Sequence, residues 1–187
     1  MEIIKARKAD APLIARSIMD AVGAEICENL AGENRTLADV ERLFTTLAER
    51  DDSQYSYLNT LVAADDDGKA VGVIVSYDGA QLAELRKPFF ELKTVLDKNL
   101  DDVEDETDAD EFYLDTLAVL PEYRGQGIAA MLIKGAVERA ADAGKPAGLL
   151  VDKDNHRARR LYERVGFRAV GERPFCYVMM DHMQFKG

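Results

Sequence analysis

The segment Leu117–Ala130, LAVLPEYRGQGIAA, runs an apolar strand into a glycine-rich turn that opens a helix, and this strongly limits what the chain can fold into. Gly125 and Gly127 let the backbone turn its N–H groups toward an anion, while the following helix aims its positive dipole end at the same point. Arg124 adds a full charge. A helix end alone contributes roughly 0.3–1 kcal/mol when exposed, so several N–H donors and the arginine must act together. A pyrophosphate is the kind of ligand that rewards such an arrangement.

Two nucleotide classes meet that description. GQGIAA satisfies the weak dinucleotide pattern Gly-x-Gly-x-x-Gly/Ala, and Asp152 lies near the distance of a ribose-binding acid. In that fingerprint, however, the first glycine leaves the strand directly and opens a run of βαβ units. Here Pro121, Glu122, Tyr123 and Arg124 intervene, and too little chain follows to complete a doubly wound sheet. Position along the chain thus argues against the dinucleotide.

A second motif, Asn155-x-x-Ala158-x-x-Leu161-Tyr162-Glu163-x-x-Gly166-Phe167, follows the predicted strand Leu149–Val151. In this order and spacing the two motifs resemble the GCN5-related N-acetyltransferase (GNAT) superfamily over roughly residues 113 to 170. The resemblance implies an α/β fold of the α+β type, a single N-acetyltransferase domain over 1–187. Its sheet is mixed and mostly antiparallel, of about seven strands, with helices on both faces and a splayed parallel central pair. It implies acetyl-coenzyme A as acetyl donor, with the pyrophosphate on Arg124, Gly125, Gln126, Gly127, Ile128 and Ala129. The backbone of Leu117, Ala118 and Val119 would bind the carbonyl and the pantetheine arm, and Asn155 and Tyr162 would complete the donor site.

Length and composition set the outer bounds. A chain of 187 residues is large enough to bury about two thirds of its unfolded surface as one domain. A net charge of -11 disfavours nucleic acid or an anionic membrane as partner and suits either plain solubility or a cationic substrate. Cys27 and Cys176 form no disulfide or zinc pattern, and the two histidines, His156 and His182, have no ligand-spaced companions, so no metal is expected. MEIIKARKADA lacks the apolar core of a signal peptide, and no run approaches a membrane span. The expected compartment is the cytoplasm.

Along the chain, Glu2–Arg7 reads as a strand, and Asp10 as the cap of a helix with Leu13, Ile14, Ile18 and Val22 on one face. Thr36 with Asp39 three residues on reads as a capping box for a second helix through Val40, Leu43, Phe44 and Leu47. Thr60–Ala64 and Ala70–Tyr77 read as a hairpin across DDDGK. Residues 78–111 form an insertion: Leu85, Phe89, Leu92 and Leu96 are helically spaced, with a break or restart at Pro88, and DDVEDETDADE then reads as a solvated acidic connector with little to bury. Strand Phe112–Val119, helix Ile128–Ala143, strand Ala147–Val151, helix Asn155–Val165 and strands Phe167–Val170 and Tyr177–His182 complete the pattern.

Acetyl transfer to an amine needs a neutral nucleophile and a proton for the departing thiolate. A lysine-like amine titrates near ~10.4, so at pH 7 about one molecule in a few thousand is neutral, which adds roughly 4–5 kcal/mol to the barrier without a base. Strand alternation puts Glu111, Tyr113 and Asp115 on one face of the strand entering the donor site, as candidates to take that proton. The family resemblance places Tyr113 where several members hold a Glu or Tyr base. Asp115 and Glu111 can instead serve to attract a cationic amine. By the same resemblance Tyr162 is the general acid, the alternative being packing beside Leu161. Asn155 can bond pantetheine, cap its helix, or do both. The fifth strand carries Leu150 where enzymes acting on ribosomal-protein N-termini commonly hold a glutamate, which turns the expectation toward a small primary amine. Acetylation of a protein lysine or N-terminus, and a non-catalytic acyl-coenzyme A-binding module, are the alternatives; a homodimer is compatible with the resemblance.

Overall fold

The structure is a computed structural model that describes residues 1–92, 104–175 and 178–187. Seven strands form one sheet in the order β1-β2-β3-β4-β5-β7-β6. They are β1 (Glu2–Lys5), β2 (Thr60–Ala64), β3 (Ala70–Asp78), β4 (Phe112–Val119), β5 (Ala147–Asp152), β6 (Phe167–Phe175) and β7 (Val178–Phe185). All neighbours are antiparallel except β4 and β5, whose parallel pairing requires a crossover. The crossover is helix α6 (Ile128–Asp142), which buries Ile128, Leu132, Ile133, Ala136 and Ala140 at helical spacing against the sheet. The mixed sheet with its parallel central pair is the architecture that the resemblance implies.

The opposite face is covered by α1 (Ala11–Val22), α2 (Ala24–Ala31) and α3 (Leu37–Glu49), whose Ile14, Ile18, Val40, Phe44 and Leu47 pack with Val73, Val75 and Tyr77 of β3. The capping box at Thr36 forms: its backbone N–H donates to Asp39 Oδ2 at 2.9 Å. Asp10 does not cap α1 with its side chain; the carboxylate accepts from the Arg7 backbone N–H at 2.7 Å, closing a 3-10 turn ahead of the helix. Helix α2 has no counterpart in the sequence reading. It is bracketed by Gly23 and Gly32 and buries only Cys27, Leu30 and Ala31, too short a stripe for its period to stand out.

The insertion folds into two short helices, α4 (Leu82–Leu85) and α5 (Lys87–Leu92), with Pro88 tolerated in the first turn of α5. Leu96, Asp101, Asp102, Cys176 and Tyr177 lie outside the described residues. The remainder of the acidic stretch departs from the expected solvated connector. Residues 104–111 form a strap whose Glu106, Thr107 and Glu111 are buried. Three cations from different elements hold it. Arg86 pairs with Asp105 and Glu106, Arg173 of β6 pairs with Asp108 and donates to the Asp105 carbonyl, and Lys145 donates to the Ala109 carbonyl at 2.7 Å. β6 also runs five residues past its predicted end, because the exposed GERPF segment is recruited as the partner of β7.

Candidate active site

The site begins where β4 and β5 separate. They pair only at Phe112↔Ala147 and Tyr113↔Gly148, after which β5 stays with β7 on its other side. A bulge marks the same point on β4: Val75 faces Thr116, but the next β3 residue, Ser76, faces Leu114, so Asp115 is the extra residue. The bulge shifts the side-chain phase. Phe112, Leu114, Leu117 and Val119 pack toward α6, while Tyr113 and Ala118 pack toward α1–α3, which unbroken alternation would not allow. The expected common face of Tyr113 and Asp115 therefore holds, but it ends there.

At the far end of β4, Pro121–Tyr123 make a 3-10 turn, and α6 starts after Gly127. Gly125 and Gly127 have φ of 80° and 81°, and a Cβ at either would meet nothing within 4 Å. Backbone twist, not space, requires glycine here. The entry to the turn is pinned twice, since Tyr123 Oη donates to Asp65 Oδ2 at 3.0 Å and Arg124 Nε donates to the Val119 carbonyl at 2.9 Å. An exposed glycine turn at the start of a fifteen-residue helix suits a pyrophosphate, so the residues fit coenzyme A.

Across the opening, α7 (His156–Arg164) follows β5, and Asn155 caps it by accepting from the Ala158 N–H at 3.0 Å. Tyr162 is half-buried, with its ring 6.0 Å from that of Phe167. Burial pushes its phenol up to about 12. His156 is exposed.

The acceptor side of β4 carries a polar cluster within the α1–α3 side of the sheet. Asp115 Oδ1 accepts from Thr116 Oγ1 at 2.8 Å, and Oδ2 lies 3.1 Å from Tyr77 Oη and 3.5 Å from Gln54 Nε2. Burial raises its proton affinity above the usual carboxylate range, against the pull of these hydrogen bonds and of the Arg86 charge. Tyr113 is buried, its ring 5.8 Å from that of Tyr77. Burial, then the charges of Asp115 and Glu111, then neighbouring Tyr162, hold its phenol well above the ordinary value. Glu111 does not line the opening as a free carboxylate. It is 1% exposed and bonded to His182 Nε2 at 2.7 Å and Gln184 Nε2 at 3.1 Å. Its carboxylate fills the place a side chain at position 148 would take, since a Cβ on Gly148 would lie 1.4 Å from Oε1.

Sequence reasoning brought together Tyr113, Asp115, Tyr162 and the glycine turn, but missed Gln54, Tyr77, Arg86 and Glu106. Glu106 is one acid among many in its stretch, and no local pattern separates it from its exposed neighbours. Among the described residues no three His, Cys, Asp or Glu side chains converge as a metal site would need, and no helix is long and apolar enough to cross a membrane.

A sheet split at a parallel central pair, with a glycine turn beneath one lip and a half-buried tyrosine on the other, defines an acyl-coenzyme A-dependent transferase. The Acetyltransferase (GNAT) family pattern matches residues 25–167, and the chain belongs to that family of N-acetyltransferases. A crystal structure of an acetyltransferase, 31% identical, superposes with a TM-score of 0.82 over 100% of this chain and 99% of its own. An N-acetyltransferase from Staphylococcus aureus Mu50, 25% identical, does so at 0.80 over 98% of this chain and 100% of its own. An uncharacterised N-acetyltransferase of Archaeoglobus fulgidus is 51% identical over 47 residues, which are 25% of this chain and 32% of that relative's length.

Proposed function

We propose that the protein acts as a single catalytic domain that transfers acetyl from acetyl-coenzyme A to a primary amine, and that the acceptor is a small cationic molecule. The observation that carries this reading is the parting of β4 and β5 beyond Tyr113 and Gly148. It leaves the Leu117–Val119 backbone on one lip and Tyr162 on the other. The glycine turn, with Arg124, Gln126, Ile128 and Ala129 around it, receives the pyrophosphate, and Asn155 flanks the pantetheine. When bound, the thioester supplies the acetyl group.

Asp115 takes the proton from the incoming ammonium. Its raised proton affinity brings it closer to neutral pH, where a base is most effective. Tyr113, held firmly protonated by burial, supports the acceptor wall and orients the amine. Tyr162 keeps its proton throughout the working pH range and gives it to the departing sulfur. The rate should therefore fall as pH drops through the raised Asp115 value, with no loss from Tyr162 until near 12. The acidic composition and unpatterned cysteines support a cytoplasmic setting.

The test is free thiol release from acetyl-coenzyme A over a panel of small amines and peptides. Small cationic amines should be turned over best, and Tyr162→Phe should lower kcat by about 10²–10⁴-fold while donor affinity is kept. Preference for extended peptides, or undiminished turnover in the variant when chemistry limits the rate, would overturn this reading.

A further inference from the structure

Tyr77 stands between two carboxylates and has one proton to give. Its hydroxyl lies 2.8 Å from Glu106 Oε1 and 3.1 Å from Asp115 Oδ2. Gln54 Nε2 sits 3.3 and 3.5 Å from the same two oxygens, but an amide has two protons and can serve both, whereas a phenol cannot. Glu106 has the stronger claim. Its contact falls inside the normal O–H···O range while the other lies beyond it, and Arg86, paired with its second oxygen, favours keeping that carboxylate ionised.

With the proton on the Glu106 side, the phenol oxygen turns a lone pair toward Asp115 Oδ2. Two lone pairs facing each other repel unless Asp115 itself carries a proton. The charge count agrees, because the buried Arg86 guanidinium is paired with Asp105 and Glu106 and acts on Asp115 only as a nearby charge, so it cannot cancel all three carboxylates. Among the described residues the other groups facing Asp115 add no further cation: Tyr113 lies along β4, Thr116 beside it, and Tyr55 reaches the Tyr77–Tyr113 pair.

We propose that Tyr77 shares one proton between Glu106 and Asp115, held toward Glu106 while Asp115 is protonated, and that this triad sets the pH at which Asp115 can accept a proton from the acceptor. The inference rests on Asp115 as the base. When Asp115 is ionised, the Tyr77 O–H points to it and Glu106 relies on Arg86 and Gln54. As the amine N–H breaks and an Asp115 O–H forms, Tyr77 swings its proton back to Glu106. No other bond changes. Tyr77, Glu106 and Arg86 are positioning residues, acting through Asp115.

Infrared spectroscopy of the free protein tests this without any acceptor. The carbonyl stretch of a protonated carboxylic acid should persist above the ordinary carboxylate range near ~4, and should vanish in Asp115→Asn. In Tyr77→Phe its midpoint should move to lower pH, by roughly half to one unit, because the oxygen that accepts from protonated Asp115 is gone. A hydroxyl that simply donated to ionised Asp115 would hold that acid's proton affinity down, so its loss would move the midpoint up. An upward shift, an unmoved midpoint, or a band untouched by Asp115→Asn overturns the proposal. Full turnover in Asp115→Asn with the infrared behaviour intact would instead remove Asp115 as the base and leave the shared proton standing.

Discussion

The two sides of the β4–β5 opening are built from different materials. The donor side is a matter of backbone: two glycines with positive φ in an exposed turn, a helix start and a half-buried strand edge left unpaired by β5. The acceptor side is a matter of buried side chains, with Arg86 against Glu106, Glu111 against His182, and Asp115 among Tyr77, Gln54 and Thr116. A site made of backbone depends on a few residues at fixed spacing. A site made of paired charges depends on partners far apart in the chain, and any one of them alone carries no meaning.

The difference predicts that the acceptor side fails by unfolding and the donor side by losing its ligand. Arg86→Met should have the largest effect, because it leaves Glu106 buried without its cation. Breaking such a pair costs about 3–5 kcal/mol, which for a chain of this size lowers Tm by roughly 6–20 °C. Calorimetric melting checks it, and an unchanged Tm would show that the strap contributes no stability. Gly127→Val comes next. Forcing a β-branched residue to φ near that of Gly127 costs roughly 1–3 kcal/mol, and a turn that relaxes to escape this strain gives up its anion donors. Acetyl-coenzyme A should bind about 10–100-fold more weakly, with circular dichroism unaltered. Titration calorimetry that finds native affinity would undo the contrast at its donor end. The smallest effect concerns the exposed acids. Asp105, Glu106 and Asp108 are already paired with Arg86 and Arg173 and Glu111 with His182, so among the described residues Glu104 and Asp110 are the strap acids with charge to spare for steering an acceptor. Changing both to their amides should lower catalytic efficiency by less than about threefold and only at low salt. A tenfold loss would mean that the strap recruits substrate directly.

This contrast also explains what the sequence made legible. LAVLPEYRGQGIAA and the Asn155–Phe167 motif were readable because strand, turn and helix each leave a local mark, and β4, α6, β5 and α7 fall close to their expected bounds. Helix α2 was hidden by its brevity, and the far half of β6 by its polar exposed face. The acidic stretch misled because composition reports net charge and not pairing. Its cations sit at positions 86, 145 and 173, well outside any window that contains the acids. Tyr77 read as an apolar strand residue, and its role depends on a hydroxyl that only the folded chain places between two carboxylates.

The bulge at Asp115 has a consequence for how such a chain can change. Because the phase slips by one residue at that point, the odd-numbered residues of β4 change sides: Tyr113 and Asp115 face the α1–α3 helices, whereas Leu117 and Val119 face α6. If Tyr113 and Asp115 act as proposed, substitutions there would retune the acceptor chemistry without disturbing how 117 and 119 seat the strand against α6. One strand thus behaves as two separately adjustable segments, joined at a residue that belongs to neither ladder.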